Sequence, residues 1–173
     1  LYVGNAYPHK NLKILLRTWK KFNQKNQEKY KLILVGKQNF FYNKLINLVG
    51  KENIKNVVFT GYLTDSELQL LYKNAESYVF PSLYEGFGLP PLEAMLYNIP
   101  IVSSNSSCLP EILGDAAIYF DPTDPTELLR AMHISLNDQA LRQRLLESGS
   151  KILQHYSWSK TAEKTLKIYQ KID

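Results

Sequence analysis

Two glutamates, Glu85 and Glu93, flank a glycine-rich stretch near the middle of the 173-residue chain. The apolar run Tyr78–Phe80 precedes this stretch, and a helix is expected to follow it. Unpaired backbone N–H groups at such a helix start, together with the positive end of the helix dipole, favour an anion. Gly86 and Gly88 allow the backbone to approach a ligand where a side chain would block it. We therefore take this stretch as the candidate active site.

Two prolines, Pro90 and Pro91, stand where the helix is expected to begin. Proline has no backbone N–H group, so this helix start offers fewer donors than most. The expected phosphate contacts therefore move from the helix to the glycine turn before it. Glu93 falls in the first turn of the helix, where an acidic side chain is also favourable for the dipole alone.

Motifs for several other chemistries are missing from the sequence. It has no Walker A pattern, no Asp-x-Asp pair and no G-x-G-x-x-G fingerprint after the first strand, which argues against a P-loop enzyme and against a nicotinamide or flavin oxidoreductase. His9, His133 and His155 are scattered along the chain. The single Cys108 excludes an internal disulfide and favours a reducing compartment. We therefore expect no cofactor and no bound metal.

The composition is that of a folded protein with a basic surface. Hydrophobic residues make up 45% of the chain, yet no apolar run approaches the ~18 residues of a membrane span. The formal charge of +5 indicates a solvated basic surface or an anionic partner, namely a nucleotide, a phosphorylated substrate or an acidic membrane face. No nucleic-acid partner is expected. The chain opens at Leu1 on a strand, so we expect no signal peptide and a missing upstream part. The expected location is cytoplasmic, with a peripheral position at the inner face of the membrane as a further option.

The hydrophobic pattern alternates between strands and helices. Strands are expected at residues 1–3, 32–35, 57–59, 78–80, 100–103 and 117–120, and helices at about 11–25, 40–50, 90–97 and 109–113, with another beginning at Thr64. The alternation predicts an α/β fold with a doubly wound, parallel, six-stranded Rossmann-like sheet and a helical tail over about 125–173, all in a single domain. Such sheets bind ligands beyond the carboxyl ends of their strands.

Helix caps and tail aromatics complete the predicted fold. Thr64 and Glu67 match a capping box, and so do Asp124 and Glu127. Ser157 is placed to cap a last helix. The aromatic side chains of the tail, Tyr156, Trp158 and Tyr169, are expected to pack against the rest of the domain, with some apolar surface left for a partner domain.

Residues 85–93 resemble the E-x7-E signature of retaining, nucleotide-sugar-dependent glycosyltransferases of the GT-B fold, the family 4 group. The resemblance continues along essentially the whole chain, at residues 3–11, 59–63, 80–82, 100–103, 110–111 and 120–122. It implies that the chain is the C-terminal, donor-binding half of such an enzyme. The acceptor-binding N-terminal domain would then be absent from this sequence.

The resemblance also implies a role for each residue of the site. Glu93 would accept hydrogen bonds from the ribose hydroxyls, Glu85 would lie beside the transferred sugar, and Lys10 would lie over the diphosphate. Backbone N–H groups of the turn would face the sugar and the distal phosphate. The implied catalytic residues are Glu85 and Lys10, and the implied donor-binding residues are Gly4, Asn5, Lys10, Gly36, Tyr62, Leu63, Glu85, Gly86, Phe87, Gly88, Leu89 and Glu93.

The sequence departs from the family pattern at one position. Many relatives carry an arginine shortly after the first-strand glycine, where this chain has Asn5. Asparagine can donate a hydrogen bond but supplies no charge. His9 or a residue of the missing domain could compensate, or Lys10 could act alone. Lys10 and Tyr62 also have a plainer interpretation, as an ordinary surface lysine and a loop residue.

The resemblance thus implies transfer of a hexosyl group from a GDP-sugar or UDP-sugar to an acceptor hydroxyl, with retention of configuration and without a metal. A mannosyl or glucosyl donor and a glycan or lipid-linked acceptor are expected. The chain alone is expected to bind nucleotide but barely to turn over. Two alternatives stay open, namely a non-catalytic nucleotide- or partner-binding module of the same fold, and a UDP-sugar epimerase.

Overall fold

A computed structural model describes residues 1–171 and contains the predicted alternation of strands and helices. The strands are β1 (Tyr2–Val3), β2 (Leu32–Val35), β3 (Val57–Gly61), β4 (Tyr78–Phe80), β5 (Ile101–Ser104) and β6 (Ala117–Phe120). The helices are α1 (Leu12–Lys25), α2 (Phe40–Lys51), α3 (Asp65–Asn74), α4 (Leu89–Leu96), α5 (Leu109–Leu113), α6 (Pro125–Asn137), α7 (Gln139–Leu153) and α8 (Trp158–Tyr169). Short 3-10 turns occur at Pro8–Lys10 and Gly114–Ala116.

All strand pairs are parallel, but they form two three-stranded sheets, in the orders β1-β2-β3 and β4-β5-β6. The expectation of one continuous six-stranded sheet is therefore corrected. At the junction, the Val79 N–H group donates to the Leu1 carbonyl at 2.9 Å, while the Tyr78 hydroxyl donates to the Val3 carbonyl at 3.1 Å. Strand β1 has only two residues, the Val3 N–H group donates to the Tyr78 hydroxyl at 3.4 Å, and Pro81 after β4 has no N–H group to continue a ladder.

The junction of the two sheets lies between β1 and β4, which gives the spatial order β3-β2-β1-β4-β5-β6. Strand order therefore reverses between β1 and β4. In doubly wound folds, the crevice beyond the carboxyl ends of the strands at such a reversal is the usual ligand site. The loops that follow β1 and β4 are thus the ones that must position any functional groups.

The core forms where the sequence pattern predicts it. Leu34 and Val35 of β2 point to opposite faces of the sheet and are both buried, as expected for a strand covered on both faces. Helix α1 buries the apolar residues at its helical spacing, including Trp19 and Phe22, and packs against α6. Full burial of a Leu or Phe side chain contributes about 1.5–3 kcal/mol. This packing holds the short strand β1 and its loop in place.

Three helix starts use the predicted cap residues. Thr64 and Glu67 form a complete capping box at α3, and the Ser157 hydroxyl accepts from the backbone at the start of α8. Asp124 caps α6 through the N–H groups of the next turn. The predicted second box is wrong in one bond, because the Glu127 carboxylate accepts from the Asp121 N–H group at 2.7 Å. Glu127 thereby fastens the turn before the helix.

The helical tail is only partly packed. Tyr156 donates its hydroxyl to the Ile112 carbonyl at 3.2 Å, so its predicted packing is confirmed. Trp158 and Tyr169 are 79% and 64% exposed, and α8 has no buried residue, so the packing prediction is wrong for these two. Every residue of α8 is exposed, so this helix buries no side chain in the body of the domain. Residues 172 and 173 of the predicted tail lie outside the described residues.

Candidate functional site

The loops after β1 and β4 are fastened to each other at the carboxyl edge of the strands. The Leu83 N–H group donates to the His9 carbonyl at 2.7 Å. His9 belongs to the 3-10 turn that ends at Lys10, and Leu83 leads into the turn of residues 85–88, hereafter the Glu85 turn. Two loops that are far apart in sequence are thus brought to one place.

Lys10 and Glu85 form an ion pair at this junction. The Lys10 Nζ atom lies 2.6 Å from Glu85 Oε1, and the two side chains are only 13% and 11% exposed. The same Nζ atom lies 5.6 Å from the centroid of the Phe80 ring. A buried carboxylate and ammonium stabilise each other, and removal of either leaves an uncompensated charge. The structure therefore brings the two predicted catalytic residues into direct contact, and an anionic ligand must compete with Glu85 for Lys10.

Residues at the start of α5 support the Glu85 turn from behind. The Ser107 hydroxyl donates to the Glu85 carbonyl at 2.7 Å. The Cys108 thiol lies 3.3 Å from the same carbonyl and 3.4 Å from the Phe87 carbonyl. Two carbonyl groups of the turn are therefore occupied within the protein.

Unlike two of its carbonyl groups, the N–H groups of the Glu85 turn are not hydrogen-bonded within the described residues. Within residues 1–171, the N–H groups of Gly86, Phe87 and Gly88 have no acceptor in the protein. Leu89 is the first residue of α4, where a helix leaves its N–H group without an internal partner. These four donors precede two prolines that offer none. The arrangement suits an anion bound at the turn, with its charge directed at preorganised N–H groups.

Gly88 is required by the geometry of the turn. Its φ angle is +101°, a left-handed conformation that residues with a side chain rarely adopt. A Cβ atom at this position would lie 2.9 Å from Cδ2 of Leu109. Gly86 is different, because its φ is not in this region and a Cβ there would meet nothing within 4 Å. The turn therefore needs Gly88 for folding, whereas Gly86 leaves open space next to the backbone.

Glu93 lies on α4, apart from the ion pair. Its side chain is exposed, and its Oε2 atom accepts a hydrogen bond from the Tyr72 hydroxyl of α3 at 3.1 Å. Burial raises the pKa of Tyr72, and the charge of Glu93 raises it further, so Tyr72 stays a donor at neutral pH. Glu93 shares no hydrogen bond with Lys10 or Glu85 within the described chain.

The predicted glycines after β1 and β2 lie side by side. The Gly4 N–H group donates to the Val35 carbonyl at 2.9 Å, and the Gly36 N–H group donates to the Gly61 carbonyl at 3.1 Å. A Cβ atom on Gly36 would collide with the Gly4 carbonyl oxygen, and the Tyr42 hydroxyl donates to that same oxygen at 2.9 Å. Close backbone packing therefore accounts for Gly36 without any ligand.

Asn5 is used by its own loop. Its Oδ1 atom accepts from the Tyr7 N–H group at 3.2 Å, and its carbonyl accepts from the buried Tyr2 hydroxyl at 2.7 Å. Burial raises the pKa of Tyr2 most, with smaller contributions from Tyr42 and Glu85. His9 is exposed, and its ring lies 6.1 Å from that of Tyr7. The first loop thus brings one cation, Lys10, into contact with Glu85.

The remaining predicted residues lie on the same edge but make few contacts. Tyr62 follows β3 and is 79% exposed, and Leu63 next to it is half-buried. A metal site is not evident, because residues 1–171 contain no group of three or more His, Cys, Asp or Glu side chains placed to hold an ion. The described helices include none with both the length and the apolar character that a bilayer span requires.

A separate apolar cavity of about 350 Å³ lies near the opposite, amino ends of the strands. Its walls include Leu1, Trp19, Phe22, Leu32 and Met132. None of the predicted site residues lines it. Because this cavity lies at the other end of the strands from the predicted site residues, the candidate site stays at the carboxyl edge.

Comparison with known proteins identifies the family. Residues 1–152 match the family model described as glycosyl transferases group 1. The chain belongs to the group 1 glycosyltransferases. The resemblance inferred from residues 85–93 is therefore confirmed.

Relatives of this group 1 glycosyltransferase include mannosyltransferases. The chain is 34% identical over 171 residues to O-antigen chain mannosyltransferase B of Escherichia coli, and the match covers 98% of the chain and 45% of that protein. It is 32% identical over 168 residues to the serotype-specific mannosyltransferase WbdA of Escherichia coli, with coverage of 95% and 21%. The chain thus spans less than half the length of these curated relatives.

Two solved structures share the fold of this group 1 member. Sucrose-phosphate synthase from Thermosynechococcus elongatus superposes with a TM-score of 0.85 at 25% identity, over 99% of this chain and 44% of its own. A mutant of TarM from S. aureus, in complex with Fondaparinux, alpha-GlcNAc-glycerol and UDP, gives a TM-score of 0.85 at 20% identity, with coverage of 97% and 34%. The predicted architecture of one GT-B half with a helical tail is confirmed.

Three contributors to the candidate site were not predicted from the sequence. Ser107 and Cys108 support the Glu85 turn, and Tyr72 holds Glu93. A signal existed for the first two, because they follow β5 directly and so had to lie on the carboxyl edge. No local signal marks Tyr72, because its inward position is equally that of a core residue.

Proposed function

We propose that the chain is the donor-binding half of a retaining hexosyltransferase and that a nucleoside diphosphate sugar binds at the Glu85 turn. One observation carries the proposal. The buried pair of Lys10 and Glu85 lies beside a turn whose N–H groups have no acceptor within the described chain, at the reversal of strand order. Membership of the group 1 glycosyltransferases supports this assignment over that of a non-catalytic module.

Each residue of the site has a place in the proposed reaction. The bond between the anomeric carbon and the diphosphate breaks, and a new bond forms from the same carbon to the acceptor oxygen on the same face. The acceptor proton goes to the departing phosphate. Negative charge develops on the diphosphate oxygens, where Lys10 and the N–H groups of residues 86–89 stabilise it. No step requires a metal ion, since these groups supply the compensating charge.

Glu85 changes partner in this proposal. In the unliganded protein its carboxylate compensates Lys10 at 2.6 Å. When a diphosphate binds Lys10, Glu85 becomes free to accept a hydrogen bond from a sugar hydroxyl and to stabilise the oxocarbenium-like sugar. Glu93, from α4, accepts hydrogen bonds from the two ribose hydroxyls. The nucleobase lies toward the loop at Tyr62.

We further propose a mannosyl donor and a polysaccharide acceptor at the inner face of the membrane. Two of the relatives above, O-antigen chain mannosyltransferase B and serotype-specific mannosyltransferase WbdA, support this choice. The net charge of +5 would suit an acidic membrane surface or an anionic acceptor. Both GDP and UDP are candidate leaving groups. The acceptor-binding half lies in the part of the relatives that this chain does not cover.

Titration of the purified protein with GDP, GMP and guanosine, and with the uridine series, tests the proposal. One of the two diphosphates should bind more tightly than its nucleoside, because Lys10 and the turn contact phosphate. Lys10→Met should weaken binding of that diphosphate about 30-fold and change the affinity for the nucleoside by less than about 2-fold. The matched control is Lys13→Met, which removes an exposed lysine three residues later. Failure of both GDP and UDP to bind would contradict the proposal and favour a partner-binding module.

Catalysis separates the two enzyme classes that remain. The 173-residue chain should bind nucleotide yet barely transfer a hexose, because one wall of the cleft is supplied by the other half. Incubation of GDP-mannose and UDP-glucose with a protein that contains both halves, followed by product analysis, should give a glycosylated acceptor. An epimerised nucleotide sugar would support the epimerase instead, and robust transfer by this chain alone would contradict the split of roles.

A further inference from the structure

The Tyr72 hydroxyl contacts Glu93 and is not required for packing of the core. Its side chain is 2% exposed, yet its hydroxyl emerges far enough to donate to Oε2 of Glu93, which is exposed. The two residues lie on different helices, α3 and α4, and are 21 positions apart. A phenylalanine would fill the same space in the core without this bond. Packing alone therefore does not account for the Tyr72 hydroxyl.

The ring of Tyr72 contacts two other tyrosine rings. Tyr97 stacks on it with ring centroids 5.2 Å apart and an interplanar angle of 10°. Tyr78 lies on it at 6.2 Å and 37°. Tyr97 is the residue that ends α4, one helical turn after Glu93. The stacking on Tyr97 thus holds the Tyr72 hydroxyl close to α4, the helix that carries the Glu93 carboxylate.

Glu93 needs such an anchor for the role proposed above. An exposed glutamate samples many rotamers, and fixing one of them on binding reduces affinity. With Oε2 held by Tyr72, the carboxylate keeps Oε1 and further lone pairs for a ligand. Within the described residues, Tyr72 is the hydrogen-bond partner of the Glu93 side chain. The bond leaves the carboxylate oriented before any ligand arrives.

We propose that Tyr72 is a positioning residue that preorganises Glu93 for the vicinal diol of the ribose, and so sets the preference for ribonucleotides. The inference rests on the proposed function, because it assumes that a nucleotide binds here. Tyr72 itself touches no substrate in this account. Its effect passes through Glu93, in the way that supporting hydrogen bonds orient groups in other binding sites.

Tyr72→Phe is the decisive variant, because it keeps the ring and its stacking and removes only the hydroxyl. The probes are GDP and UDP, whichever binds, and the matching 2′,3′-dideoxynucleotide. We expect the variant to bind the ribonucleotide about 5- to 10-fold more weakly, as for one lost hydrogen bond to a charged group. The dideoxynucleotide, which has no diol, should change by less than about 2-fold. The preference for ribose should therefore narrow.

Tyr119→Phe is the matched control. Its hydroxyl also donates to one partner, the Gly114 carbonyl at 2.7 Å, but far from Glu93 in the sequence and on β6. It should leave both nucleotides within about 2-fold of the original protein. Thermal unfolding of both variants checks that each is folded at the temperature of the titration.

The outcomes separate the inference from the proposed function. If the original protein binds neither GDP nor UDP, the proposed function fails and the inference falls with it. If nucleotides bind and Tyr72→Phe weakens the ribonucleotide and the dideoxynucleotide equally, or neither, the proposed function stands and the positioning role is overturned. A selective loss for the ribonucleotide supports the inference.

Discussion

The Glu85 turn and the start of α4 carry two carboxylates close together in sequence, but the two differ in exposure and in their hydrogen-bond partners. Glu85 is 11% exposed, paired with Lys10 at 2.6 Å, and its own carbonyl is held by Ser107. Glu93 is exposed and receives one hydrogen bond, from Tyr72. The first carboxylate is electrostatically satisfied before any ligand binds. The second keeps most of its hydrogen-bonding capacity open.

This difference separates a group that adds to ligand affinity, Glu93, from a pair that a ligand must first break, Lys10 and Glu85. Contacts to Glu93 add to the existing structure, so their full value appears as affinity. Contacts to Lys10 or Glu85 replace an ion pair, so part of their value is offset by the bond that is lost. Substitutions at the two glutamates should therefore differ in sign as well as in size.

The largest effect is expected for Glu93→Ala. Loss of two hydrogen bonds from the ribose to a carboxylate should weaken GDP or UDP about 100-fold. The unfolding free energy should also fall by about 1 kcal/mol, because the nearly buried Tyr72 hydroxyl loses its acceptor. Isothermal titration and urea denaturation measure the two quantities. Glu163→Ala, an exposed glutamate of α8, is the control and should alter neither.

Gly88→Ala should act on folding. An alanine at φ +101° with its Cβ 2.9 Å from Leu109 should destabilise the protein by about 2 kcal/mol. Gly86→Ala meets no such conflict and should keep stability within about 0.5 kcal/mol, while it weakens nucleotide-sugar binding through the space it fills. Urea denaturation of both variants checks the contrast. Equal stability of the two would show that the turn is not held as described.

Glu85→Gln should separate affinity from catalysis. With the competing carboxylate neutralised, Lys10 becomes more available to the diphosphate, and GDP or UDP should bind about 3-fold more tightly. Transfer by a protein that contains both halves should fall, because the sugar loses its carboxylate partner. A loss of nucleotide affinity like that of Glu93→Ala would reverse the two assigned roles.

The smallest effect is expected for the support behind the turn. Ser107→Ala removes the hydroxyl that donates to the Glu85 carbonyl and should cost about 0.5–1 kcal/mol of stability. Nucleotide-sugar affinity should fall about 2- to 3-fold as the turn loosens. Ser106→Ala, at the neighbouring position, serves as the comparison in the same denaturation and titration experiments. If it had the same effect, the loop as a whole rather than the Ser107 bond would hold the turn.

Local features of the fold could be predicted from the sequence because their causes are local. The apolar spacing of α1 and the capping box at Thr64 each depend on residues within one element, and both are found as predicted. The gap between the two sheets was not predicted, and at that gap the Tyr78 hydroxyl donates to Val3, which is 75 positions away in sequence. Exposure of Trp158 likewise depends on where α8 lies relative to the body.

The candidate site shows the same division. Parallel strand order was enough to place Lys10 and the Glu85 turn on one edge. Their direct ion pair was not foreseen, because side-chain contact over 75 positions follows from tertiary packing. The bond from Tyr72 to Glu93 was not predicted either, because it requires the relative position of two helices.

A crystal structure of the protein with GDP or UDP, whichever binds more tightly, tests the central claim most directly. We predict that the ribose hydroxyls lie within hydrogen-bond distance of Glu93, that the diphosphate contacts Lys10 Nζ and the N–H groups of the Glu85 turn, and that Lys10 and Glu85 have moved apart. A nucleotide bound elsewhere, such as in the apolar cavity at the amino ends of the strands, with the Lys10–Glu85 pair intact, would contradict the account.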